Sequence, residues 1–182
     1  LLIDVNDPLN PVELSSLELP VTQSEQDTTY VDAVLFSDSN KIAVIEAYSN
    51  KIVLISKSPE NKLTIDSETI LISDTNLPLL VDLEVDQSDN NKLWVLVGPN
   101  LRQLGKKIYN EYDDTHSSSI PDKIITISLV DDKLVEVANI DLPDNFVPFF
   151  LSNNGENNLY VSGILSSFFE YDEDDDWADK LK

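Results

Sequence analysis

Short apolar runs of Val, Ile, Leu and Thr alternate along this chain with breaks of Asn, Asp, Ser and Pro. Such runs predict β-strands, because branched side chains fit a pleated surface and the break residues favour turns. Three times a pair of runs follows the same opening. Thr29–Phe36 leads into Lys41–Tyr48, Leu79–Val85 into Lys92–Gly98, and Phe146–Ser152 into Asn157–Gly163. A turn rich in Asp, Asn and Ser joins each pair, and each unit restarts roughly 50 to 70 residues after the last. Ser49-Asn50 then predicts a hairpin into Lys51–Ser56, and Pro59–Lys62 turns the chain into Leu63–Ile72. Four antiparallel strands are therefore expected between residues 29 and 72.

About four strands in a period near 40 to 50 residues is the signature of propeller blades. The chain thus reads as an all-β propeller fragment, with about two full four-stranded blades plus parts of two others. Residues 1–28 would supply the outer strands of a preceding blade and a linker, turning at Asp7–Pro11. Residues 29–78 form one blade. Residues 79–145 form the next, with strands near 79–86, 92–98, 123–130 and 133–141 and an insertion over 99–122. Residues 146–167 give a partial blade, and 168–182 an acidic tail or short helix whose Phe168, Tyr171, Trp177 and Leu181 permit one apolar face. So few blades do not close a ring, which needs at least about four. Trp94 and Tyr160 are expected to fill the space between blades.

Composition narrows the function classes. No run of about 18 apolar residues is present, so no helical membrane span is expected. The chain opens directly on the strand Leu1–Val5 and contains no Met, which reads as a piece cut from a longer protein. With no Cys, disulfides, thiolate metal sites and cysteine nucleophiles are all excluded, and an intracellular compartment is compatible. The net charge of −22 repels phosphate backbones, so the module as a whole is not expected to hold nucleic acid by itself. A basic protein would be drawn to it, with attraction speeding encounter more than deepening affinity.

The residues capable of chemistry are sparse. The single histidine, His116, sits among hydroxyls and acids in Tyr112–Ser119, but neighbours in sequence do not make a catalytic triad. One His and no Cys leave zinc only carboxylates. The run Asp172–Asp176 lacks the alternating spacing and central Gly of a calcium loop and reads as solvated. Gly98, Gly105, Gly155 and Gly163 stand alone, so no phosphate-cradling loop is predicted. No catalytic, cofactor-binding or metal residue is assigned, and none of the 34 acids is singled out as half of a catalytic pair.

Two interaction candidates remain. Arg102, Lys106 and Lys107 form a local basic cluster in the insertion. Either they touch an RNA phosphate at the edge of a larger complex, or they are an ordinary charged loop balanced by Glu111, Asp113 and Asp114. Glu46 closes an otherwise apolar strand, where burial without a partner is costly. Either it faces solvent by alternation, or donors from a neighbouring blade hold it in a structural role.

Val31–Phe36 followed by Ile42–Ile55, with its glutamate in the second strand and an apolar third strand directly after, resembles a known family. This is the WD-repeat family of non-catalytic subunits of the tRNA 7-methylguanosine methyltransferase. Leu79–Val85 with Leu93–Val97 is similar to that family's following blade, and the Lys-bearing segment Phe168–Lys182 fits its end. The resemblance is closest over residues 29–100. It implies a WD40-like, seven-bladed propeller that binds and stabilises a separate catalytic methyltransferase subunit. That subunit holds S-adenosylmethionine and performs the methyl transfer. The scaffold would have no cofactor of its own, would reach tRNA mostly through its partner, and would be nuclear. Two alternatives stay open: a generic WD-like interaction platform in another intracellular complex, and a propeller enzyme using carboxylates as acid and base.

Overall fold

A computed structural model describes residues 1–19, 30–36, 39–46, 50–71, 79–98, 122–143, 146–155 and 158–165. Every element among them is a strand, and all pairing is antiparallel. A two-stranded ribbon, β1 (Leu2–Asp4) with β2 (Val12–Ser15), comes first. It is followed by a four-stranded meander of β3 (Tyr30–Phe36), β4 (Lys41–Glu46), β5 (Lys51–Lys57) and β6 (Leu63–Ile70). A second meander contains β7 (Leu79–Val85), β8 (Lys92–Gly98), β9 (Lys123–Val130) and β10 (Lys133–Asp141). A last hairpin pairs β11 (Phe146–Asn153) with β12 (Leu159–Leu165). Within each sheet the spatial order is the chain order.

Turn chemistry sets the register. Asn40, Asn50 and Asn61 adopt positive φ at the hairpin corners, as do Asp131 and Asp132 between β9 and β10. Asn and Asp tolerate the left-handed region better than other side chains bearing a Cβ. The sequence breaks are therefore where the chain reverses.

Three apolar layers separate the four sheets. Leu2, Leu17 and Leu19 cover one face of the first meander at Val44, Val53 and Ile55. Its other face, including Phe36, Ile45 and Leu54, meets Leu83, Val95 and Ile127 of the second meander in the largest core cluster. The opposite face of the second meander, with Leu96, Ile124 and Trp94, meets Leu151, Leu159 and Val161 of the last hairpin. Middle strands are covered on both sides, which is why β5 and β8 are nearly continuous apolar runs rather than alternating ones. Trp94 lies between sheets as expected. Tyr160 is not packed among the described residues: it is 56% exposed, on the side of the last hairpin turned away from the second meander.

The first strands lie side by side, β3 against β7 and β7 against β11. Gly98 permits part of this approach, since a Cβ there would meet Val81 Cγ2 at 2.8 Å and crowd the carbonyl of Pro148. None of the described residues forms a helix long and apolar enough to cross a membrane.

Candidate functional site

Each of the three first strands carries an irregularity at the same place. Register slips between Tyr30 and Asp32, between Leu80 and Asp82, and between Pro148 and Phe150. One extra residue bends the strand and redirects the side chain that follows. In β3 and β7 that side chain is an aspartate, and it reaches sideways into the next unit.

Asp32 Oδ2 accepts a hydrogen bond from the Leu83 amide of β7 at 2.9 Å, while its Oδ1 accepts from its own neighbour Ala33 at 2.7 Å. One unit on, Asp82 Oδ2 accepts from the Leu151 amide of β11 at 2.6 Å, and its Oδ1 accepts from Leu83 at 3.1 Å. Leu151 follows its bulge as Leu83 follows its own, so the second bond repeats the first. At the third place stands Phe150, 66% exposed, and the ladder of carboxylates stops there. A further tie runs back from β11: Asn153 Nδ2 donates to Glu84 Oε1 at 2.8 Å and to the Val85 carbonyl at 2.7 Å.

Electrostatics at this seam are unusual for so acidic a chain. Burial pushes the Asp82 carboxyl up to about 6, and the facing Asp32 carboxyl adds to the rise against the two amide donors. Glu84 is raised by burial and by the charge of Asp32, opposed by Asn153. Among the described residues no Lys or Arg pairs with any of the three. The described residues also contain no group of three or more His, Cys, Asp or Glu placed to hold a metal ion. What the seam can do is bind a proton and hold backbone amides.

Glu46 does not face solvent. It is only 1% exposed, and a donor of its own sheet holds it: Lys51 lies at 3.1 Å, directly opposite on β5. Lys51 also reaches Glu68 of β6 at 3.1 Å. Burial alone lowers the Lys51 ammonium, but hydrogen bonds to Glu46 and Glu68 outweigh it and hold the group above its ordinary value. A second cation, Lys41, pairs with Asp66 of its own sheet at 2.9 Å and with Asp132 of the second meander at 3.0 Å. Arg102, Lys106, Lys107 and His116 lie outside the described residues, as does the segment from Phe168 to Lys182.

Asp32 and Asp82 were not singled out by sequence reasoning. A usable signal was present: Val-Asp sits inside an apolar strand at 31–32 and again at 81–82, each opening a meander. An acid repeated at one position of a structural repeat marks a role shared by the repeats. Comparison of this chain with family models, curated proteins and solved structures gave no match.

Proposed function

We propose that this chain contributes blades to a WD40-like β-propeller and serves as a non-catalytic scaffold. Its partner in this reading is the catalytic subunit of a tRNA 7-methylguanosine methyltransferase, which it binds and stabilises in the nucleus. One observation carries the propeller half of the reading. The ladder from Asp32 to β7 and from Asp82 to β11 sets successive first strands side by side, as blades arranged around an axis require. Sequential four-stranded meanders with apolar faces between them support it further. The methyltransferase half rests on the resemblance of residues 29–100. The charge of −22 agrees with a subunit that leaves RNA contact to its partner.

The test is affinity purification of the protein from its own cells. Recovery of a methyltransferase that forms 7-methylguanosine in tRNA is the expected result. Purification of a stable complex without any methyltransferase would leave a generic interaction platform as the better reading.

A second reading, a carboxylate enzyme, gains support from the raised Asp82 and Glu84. Against it stands their bonding. Both Asp82 oxygens accept backbone amides, and Glu84 accepts Asn153, so these lone pairs already hold strands together.

A further inference from the structure

We propose that Asp32 and Asp82 form a proton-operated latch across the three first strands: a proton shared between the two carboxyl groups closes the seam, and its loss to solvent loosens it. This goes beyond the scaffold reading and is independent of which partner the chain carries.

The geometry forces the two groups together. Asp32 Oδ2 and Asp82 Oδ1 both accept from the one Leu83 amide, so the two carboxyl groups converge on a shared donor while the Ala33 and Leu151 amides serve their other oxygens. Two carboxylates held this closely retain a proton more strongly than either alone, because removing it leaves adjacent like charges. The described groups facing the pair bring amide donors but no cation. From β7 comes a third acid, Glu84. From β11 come the neutral Leu151 amide and Asn153. Opposite Asp32 on β4 is Ile45, and opposite Asp82 on β8 is Leu96, both apolar and buried. Among the described residues, no cation pairs with either aspartate. The pair is also solitary among the described units, since Phe150 occupies the next place.

The sign follows from linkage. Asp82 holds its proton more tightly in the folded chain, to about 6, than in the unfolded one. Its stabilisation is therefore complete below the ordinary aspartate value and is lost as pH rises through the folded value. Ordinary acids are ionised throughout pH 5 to 7.5, and His116 is the only histidine. A His116→Gln background removes the one histidine, and comparison with Asp82→Asn cancels what the other acids and the amino terminus contribute.

The experiment is thermal unfolding of the full chain in that background, at pH 5 and pH 7.5, with and without Asp82→Asn. The amide that this substitution introduces donates to Asp32 and still accepts from Leu151, mimicking the protonated latch. With Asp82 in place, the melting temperature is expected to fall by roughly 2–4 °C from pH 5 to 7.5. In the Asp82→Asn protein the fall is expected to shrink to the part that Glu84, raised by burial and by Asp32, still contributes. Equal pH slopes in the two proteins would overturn the proposal. Should the variant fail to fold, carboxyl-carbon NMR of the unmutated chain decides. A midpoint of the Asp82 carboxyl near pH 6 supports the latch, and an Asp82 midpoint near the usual aspartate value of about 4 refutes it.

Discussion

Glu46 illustrates how a charged side chain is kept inside an apolar strand. Its carboxylate is buried, and Lys51 faces it across the β4–β5 pair, itself anchored on the far side by Glu68. A buried pair adds little net stability, but removing one partner strands the other. Lys51→Met, which keeps the apolar stem, is expected to cost about 3 kcal/mol in urea unfolding. Because the Lys51 ammonium is held above its ordinary value, its contribution is present through neutral pH. It disappears only as pH rises through the folded value, above 10.5. A loss below about 0.5 kcal/mol in Lys51→Met would mean that the pair behaves as an exposed one.

At the scale of elements, the corners and bulges do the shaping. In the β5–β6 turn the Asn61 amide donates to the Ser58 carbonyl at 2.9 Å, with Asn61 at φ 63°. Asn61→Ala is expected to destabilise by about 1 kcal/mol and Asn61→Gly by much less, read from denaturation midpoints. The last hairpin is tighter still. A Cβ on Gly163 would strike the Val147 carbonyl oxygen and come within 2.6 Å of Phe146 Cζ. Backbone cannot yield as a flexible side chain does, so Gly163→Ala is expected to cost about 2 kcal/mol or more, with β11 and β12 losing amide-exchange protection first.

Over the whole molecule, packing and charge oppose each other. Leu83 lies in the cluster shared by both meanders and also donates its amide to Asp32. Leu83→Ala is expected to cost about 2–5 kcal/mol and to loosen both sheets together, visible as joint loss of amide protection. The charge of −22 works the other way, since 34 acids face only 12 bases. Raising sodium chloride from about 0.01 M to 0.15 M shortens the screening length from about 30 Å to about 8 Å. The melting temperature should therefore rise with salt. A fall would mean that ion pairs such as Lys41–Asp132 outweigh the general repulsion.

The local pattern alone was enough to place the strands. Runs such as Lys51–Lys57 and Lys92–Gly98 announce themselves by branched apolar side chains, and the corners at Asn40, Asn50 and Asp131-Asp132 by residues that accept positive φ. Those are properties of neighbouring residues, so sequence carries them directly. Which faces are covered is different. Tyr160 and Trp94 sit in similar runs, yet among the described residues only Trp94 is packed, because a sheet lies opposite it. Glu46 and Asp82 are both acids in apolar strands. Tertiary contact gave one a cation and the other a second carboxylate, since partners distant in the chain set the local dielectric and charge. The alphabet of strands and turns was written in the sequence, whereas the aspartate seam forms only where three strands meet.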